Sequence, residues 1–268
     1  MIRITAVLIS TLVFFSCTIN NVKHADDLKK YFDEFNVEGT FAMYDNSRGQ
    51  HTIYNLERDT VAYSPASTFK IVNALVALQT GRITSDSSLI KWDGITRERP
   101  EWNQDLSLYH AFRVSAVPHF QSIARSIGRD TMQRWLDSLR YGNMKIGPHI
   151  DSFWLDNSLK VSNDAQVWLA KLLYFRQLPV RQSVQEEVKK MMIQENNTVY
   201  QLAYKTGWGA TPEGHELGWV VGWIEENRHV YFFSMNFESP DHQIDMANVR
   251  KKLLTKILTH IGFFQGKM

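Results

Sequence analysis

Only one cysteine, Cys17, occurs in the 268 residues. The chain therefore cannot close an intramolecular disulfide, ligate an iron–sulfur cluster or build a multi-cysteine zinc site. An excess of charge of one sign is also lacking: 30 Lys and Arg face 28 Asp and Glu, a net +2, and no basic run stands out. That removes the electrostatic footprint of a nucleic-acid binder. The nine histidines form no His-x-His or His-x-x-x-His cluster, which argues against a metal-dependent hydrolase. His110, His119 and His215 read as surface or loop residues, His119 close enough to Ser115 to line a cleft. No internal repeat or low-complexity linker is present, and nothing after residue 20 is hydrophobic enough to span a bilayer. What is there is ordinary for a compact globular protein: 44% hydrophobic and 22% charged residues, in a chain long enough to bury a sizeable core.

The first residues read as a targeting segment. Met1 to Arg3 give a positive start and Ile4 to Phe15 are almost all apolar, too short to span a membrane comfortably but suited to an export signal over residues 1–17. In Phe14-Phe15-Ser16-Cys17 a small residue precedes the only cysteine, which resembles a bacterial lipoprotein cleavage site. The other reading is an ordinary signal with an incidental Cys17. Both predict export to the periplasm, where the lack of other thiols suits an oxidising compartment. A lipid on Cys17 would tether the chain to a membrane surface without spanning it.

Residues 25–35 place Leu28, Tyr31, Phe32 and Phe35 at helical spacing. Gly39–Asp45 and Gln50–Asn55 read as strands joined by the turn signal Asn46-Ser47-Arg48-Gly49. Pro65, the apolar run Phe69–Leu78 and Gly81 mark the start, body and end of a buried helix. The middle reads as helical, with capping boxes at Asp130-x-x-Gln133 and Ser183-x-x-Glu186 and an apolar helix over 164–175. Thr198–Trp208, Leu217–Glu225 and His229–Phe237 then read as strands and 242–262 as a closing helix. The expectation is a mixed α/β fold, with a discontinuous sheet domain (20–60 and 197–268) and an inserted helical domain (61–196).

Ser67-Thr68-Phe69-Lys70 is the sharpest chemical feature. Positions three apart at a helix start share a face, so the hydroxyl and the amine meet. The orphan N–H groups of a first helical turn favour a developing oxyanion. A serine hydroxyl becomes a nucleophile only when a neighbouring base takes its proton. Ser-x-x-Lys alone is weak, since it arises about once by chance in a chain of this length, and Ser88-Leu89-Ile90-Lys91 matches too. The second copy lies in a polar stretch and reads as a decoy. Taken alone, Ser67 and Lys70 would be a helix cap and a solvated amine. Order along the chain changes this: Ser115-Ala116-Val117, Tyr141-Gly142-Asn143 and Lys205-Thr206-Gly207 follow. A given tripeptide is expected roughly once in several thousand residues, and this Lys-Thr-Gly falls inside an expected strand, where a glycine would let a substrate amide approach the strand edge.

The ordered set resembles the class D, or oxacillinase-type, serine β-lactamases, as do the wider stretches Tyr63–Leu75, Ser115–Pro118, Asp151–Leu159 and Lys205–Gly209. The resemblance runs through nearly the whole mature chain. It implies a five-stranded antiparallel sheet flanked by terminal helices, a helical domain, and an active site between them. It implies Ser67 as the acylated nucleophile, with the backbone N–H groups of Ser67 and Trp208 as oxyanion hole. Lys70, carboxylated by carbon dioxide or bicarbonate, would be the general base for acylation and deacylation, and no other cofactor is implied. Ser115 would relay a proton to the leaving nitrogen with support from Lys205. Thr206, Gly207, Trp208 and Arg250 would hold the substrate, the guanidinium taking its carboxylate. Tyr141, Gly142 and Asn143 would shape the site. Partners would be β-lactam antibiotics, to a monomer or a homodimer. Val72 stands where relatives commonly carry proline.

Carboxylation needs a neutral amine, although lysine ordinarily titrates near about 10.4. Burial among apolar groups disfavours the ammonium, and Phe69, Val117 and Phe153-Trp154-Leu155 are candidates to supply that surrounding, with the Trp154 indole N–H available to a carbamate. A class A enzyme activates its deacylating water with a loop glutamate; Phe153–Lys160 offers only Asp156. Two alternatives remain. A penicillin-binding protein usually carries Ser-x-Asn where Val117 stands here. A covalent β-lactam sensor is normally the outer end of a long transmembrane protein. Substrate range would depend on Arg99, Trp102, Trp208 and the 209–215 loop.

Overall fold

The computed structural model describes residues 21–266; the expected export signal over 1–17, with Cys17, lies outside them. The chain opens with β1 (Val22–His24), a 3-10 turn (Asp26–Leu28) and α1 (Lys29–Glu34), then the hairpin β2 (Glu38–Asp45) and β3 (Gln50–Tyr54). Next come α2 (Leu56–Thr60), β4 (Ala62–Tyr63), a 3-10 turn (Ala66–Phe69) and α3 (Lys70–Gln79). The segment that follows holds β5 (Leu89–Ile90), a third 3-10 turn (Pro100–Trp102), β6 (Leu106–Ser107), α4 (Leu108–Arg113), α5 (Val117–Ile127) and α6 (Arg129–Leu139). The chain returns through β7 (Val161–Ser162), α7 (Asn163–Tyr174) and α8 (Gln182–Met192) to β8 (Ile193–Asn196), β9 (Tyr200–Ala210), β10 (Glu216–Glu226), β11 (His229–Ser239) and α9 (Met246–Ile261).

The main sheet has seven strands, not five, in the order β1-β3-β2-β11-β10-β9-β8. The expected antiparallel five are its centre. Short β1, parallel to β3, and β8, with a bulge between Ile193 and Glu195, extend the edges; both are too short to show a period in the sequence. β10 is apolar on both faces because both are covered. Val220 and Ile224 join Phe32, Phe233, Leu253 and Ile257 under α1 and α9, while Trp219, Val221 and Trp223 join the core shared with α3, α5, α7 and α8.

The buried helix at 69–78 forms as expected, and its end has a clear cause. Gly81 takes φ +70°, its N–H bonds the Leu78 carbonyl, and Arg82 N–H bonds that of Ala77, a Schellman stop. Every residue from Lys70 to Leu78 is buried. Each aliphatic side chain removed from water contributes about 1.5–3 kcal/mol, which offsets the cost of taking Lys70 along. The two capping boxes are not formed. α6 starts after Gly128 and α8 after Arg181, neither with a side-chain cap, so Asp130 and Ser183 lie inside their helices. The side-chain caps that do form are Asn55 on α2, Ser107 on α4, Ser162 on α7 and Asp245 on α9.

Candidate active site

Ser67 lies in the 3-10 turn leading into α3, and Lys70 is the first residue of the α-helix. Tightening the turn brings i and i+3 together: Lys70 Nζ is hydrogen-bonded to Ser67 Oγ at 2.7 Å. Lys70 is fully buried, its amine 5.4 Å from the centre of the Phe120 ring. Desolvation, with a smaller push from the Arg99 charge, lowers its pKa to about 7. Ala66, just before the nucleophile, sits at φ +47°, an unfavourable conformation for a residue with a Cβ. The turn is held by Thr68, whose hydroxyl donates to the Pro65 carbonyl at 2.7 Å and accepts from Gln166 at 2.8 Å.

β9 forms the facing wall. Lys205 is buried, and its amine donates to Ser115 Oγ at 3.0 Å and to the Thr206 carbonyl at 2.8 Å. Burial first, then the charges of Lys70 and Arg250, pushes its pKa well below the usual lysine range. Ser115, at φ +57°, occupies the bend between α4 and α5. Gly207 has a packing reason beside the expected one, approach of the substrate. A Cβ there would come within 3.0 Å of Trp219 Cβ, 3.1 Å of the Pro65 carbonyl and 3.2 Å of Thr68. The bare backbone thus makes room for the nucleophile's own turn. Gly209 does the same for Ala66, at 3.1 Å. Arg250, buried on α9, donates to the carbonyls of Gly207 and Met246; burial lowers its pKa to about 10.

A cavity of about 190 Å³ opens in front of Ser67 and is lined by Ser115, Lys205, Thr206, Trp208 and Arg250 among others. Trp208 is half exposed, with its indole donating to Glu216 at 2.6 Å. Arg99, which also lines the cavity, lies 4.8 Å over the Trp102 ring, and the Trp102 indole donates to the Val114 carbonyl. Behind the nucleophile, Trp154 is fully buried and stacked on Phe69 at 5.3 Å, which in turn meets Phe153 edge-on. The Trp154 indole N–H is buried without a partner among the described residues, a condition that costs about 1–3 kcal/mol. Val117 is half-buried, and Phe120, which the sequence reading did not single out, adds apolar surface against the amine.

Tyr141-Gly142-Asn143 is a clasp on the loop over residues 153–160. Asn143 donates to the Ser158 carbonyl and accepts from the backbone N–H groups of Lys145 and Lys160. Gly142 takes φ +57°, and a Cβ there would lie 2.1 Å from the Lys160 carbonyl oxygen. Tyr141 is buried, with its hydroxyl 3.4 Å from Gln166. Asp156 is exposed and accepts from Ser158 N–H, a loop-bracing position. His119 is neither surface nor cleft. It is buried on α5, with Nε2 2.9 Å from the Gln104 carbonyl, because the helix entered at Val117-Pro118 turns it inward. His110 and His215 lie near the surface. Among the described residues no helix is long and apolar enough to cross a membrane.

Residues 39–259 match the family described as the penicillin binding protein transpeptidase domain, and the chain belongs to it. Within that family its relatives are narrower in kind. The chain is 38% identical to β-lactamase OXA-5 of Pseudomonas aeruginosa over 95% of its own length and 96% of that protein. It superposes on FUS-1 (OXA-85), a class D β-lactamase from Fusobacterium nucleatum subsp. polymorphum, with 34% identity and TM-score 0.85 over 91% of this chain and 100% of that one. It is also similar to the C-terminal domain of the Bacillus licheniformis BlaR penicillin receptor, with 32% identity and TM-score 0.85 over 91% and 97%. The chain is a member of the class D β-lactamases, and so a serine hydrolase by family.

Proposed function

We propose that this protein hydrolyses the β-lactam ring of penicillin-type antibiotics through an ester on Ser67. One observation carries the reading: a fully buried amine, with its pKa brought down to about 7, hydrogen-bonded at 2.7 Å to a serine hydroxyl that lines a cavity. Lys70 takes the Ser67 proton as Oγ bonds to the lactam carbonyl carbon. The oxyanion is met by the N–H groups of Ser67 and Trp208. The C–N bond then breaks, and the proton taken from Ser67 passes from Lys70 through Ser115, tied to Lys205, to the leaving nitrogen, which frees the base. Lys70 then takes a proton from water, the hydroxide cleaves the ester, and the proton returns to Ser67 Oγ as the acid leaves. Thr206 and Arg250 hold the substrate carboxylate.

Lys70 performs both steps, in this reading, as a carbamate formed when carbon dioxide bonds to its neutral amine and a proton leaves. Three features support it. The amine is desolvated, the buried Trp154 N–H is an unused donor, and the cavity lining holds only positive charges, so an anion at Lys70 is electrostatically favoured. The exposed Asp156 gives no competing base. The apolar leader supports export to the periplasm.

Steady turnover of a chromogenic cephalosporin, with activity lost on degassing and restored by bicarbonate, is the expected result. A single stoichiometric burst would instead favour a covalent sensor, the reading to which the likeness to the BlaR receptor domain gives weight.

A further inference from the structure

The cavity before Ser67 carries more positive charge than one ring carboxylate requires. Arg99, Arg113, Lys205, Arg250 and Lys251 all line it, and no aspartate or glutamate does. Lys205 is engaged with Ser115, and Arg250 with Thr206 is assigned to the ring carboxylate. Arg99 is partly compensated by Glu101 at 2.7 Å. Arg113 and Lys251 have no acidic partner among the described residues.

These two cations come from different elements. Arg113 ends α4 and is fixed by a bond from Nη1 to the Ile193 carbonyl, which leaves its other donors uncommitted. Lys251 is exposed on α9, next to Arg250. The positive charges act on one another: those of Arg250, Arg113 and Arg99 all depress the pKa of Lys205. Unneutralised cations that line one small cleft focus a field that attracts anions. A guanidinium fork and an ammonium that open into one cavity are each receptors for a carboxylate or sulfonate.

We propose, resting on the hydrolase reading above, that Arg113 and Lys251 engage a second anionic group on the substrate side chain, so that the site favours dianionic β-lactams. The substrate class is then defined by two negative charges, one on the fused ring and one on the acyl side chain.

Three penicillins that differ at one carbon test this: the benzyl parent, its α-carboxy derivative and its α-amino derivative. The readout is the ratio of kcat/KM for the α-carboxy compound to that for the parent, and how mutation changes it. That change, not the ratio itself, decides, because the added carboxylate also alters steric fit. Lys251→Glu should lower the ratio at least tenfold, mainly through KM, and shift the α-amino compound in the opposite direction. Arg113→Gln should lower it about fivefold. Lys251 is exposed, so its variant tests the idea even if loss of the Ile193 contact unfolds Arg113→Gln. A ratio within twofold of wild type in Lys251→Glu, with the parent still turned over, overturns this inference and leaves the hydrolase reading intact. Failure of the wild type to hydrolyse any of the three overturns both.

Discussion

Two Ser-x-x-Lys tetrads in this chain share a pattern and nothing else. At Ser67–Lys70 the chain turns from a 3-10 turn into a helix, so the two side chains lie on one face and meet at 2.7 Å, with the lysine wholly inside the core. At Ser88–Lys91 the middle residues form the short strand β5, where positions three apart point to opposite faces. Ser88 spends its hydroxyl on Thr84 and Ser85, and Lys91, 78% exposed, pairs with Asp105 at 2.7 Å. A motif states which groups are available; local geometry and burial decide whether they form a reactive pair.

The largest contrast is expected at the serines. Ser67→Ala should remove covalent acylation and lower kcat/KM by roughly 10⁴-fold or more, whereas Ser88→Ala stays within twofold. Intact-protein mass after incubation with a penicillin reads this directly. An adduct surviving in Ser67→Ala would break the comparison.

The lysines come next. Lys70→Met should accumulate acyl-enzyme and cut kcat by about 10²–10⁴; Lys91→Met should leave kcat unchanged. Their stabilities should diverge too. The folded Lys70 loses its proton near pH 7, while the unfolded chain keeps it to the usual lysine value of 10.5. Between these values the unfolded state binds the extra proton, so stability rises with pH across that window. Taking this lysine inside at neutral pH or below costs on the order of 5 kcal/mol. Lys70→Met should therefore raise the melting temperature at pH 7 and flatten its rise toward pH 10. At a fixed, limiting concentration of dissolved carbon dioxide, the wild-type rate should climb through about pH 7 as the amine deprotonates and can take up the gas.

Much of this was legible in advance because the relevant signals are local. Hydrophobic period, Pro65 and Gly81 delimit α3, and short runs rich in Tyr, Val and Trp mark the central strands. Motif order brought Ser67, Lys70, Ser115 and Lys205 together on paper, and the fold brings them together in space. What escaped depends on pairs distant in sequence. Phe120 meets Lys70 only because α5 packs on α3. Buried Arg58 finds Asn236, 178 residues on, and Asp59, its pKa raised to about 6 by burial, finds Asn163, 104 residues on. Short strands such as β1 and β8 exist only as edges added to a sheet already formed. The misplaced caps of α6 and α8 show the reverse error, a local signal overridden by where the chain must turn.

A finer test of the buried tetrad is its indole neighbour. Trp154→Phe keeps a ring against Phe69 and deletes one N–H. If that donor serves a carbamate, the bicarbonate needed for half-maximal activity should rise about tenfold, in line with about 1.5–3 kcal/mol for a hydrogen bond to a charged group. The carbamate signal in ¹³C NMR should weaken in parallel. An unchanged signal would mean the lysine is held neutral by its surroundings alone.

The smallest effect probes the packing that sets the 2.7 Å pair itself. Gly207→Ala places a methyl 3.0–3.2 Å from Trp219, the Pro65 carbonyl and Thr68, contacts that a shift of a few tenths of an ångström relieves, at a cost of about 1 kcal/mol. Because two of those neighbours belong to the nucleophile's turn, the shift should fall on Ser67 and slow acylation several-fold, while melting changes by only a few degrees. Pre-steady-state acylation rates separate this from the alternative that Gly207 serves only to admit substrate, in which case KM would rise and the acylation rate at saturation would stay the same. The exposed tetrad has no such buttress, which is why equal spacing there yields no equal geometry.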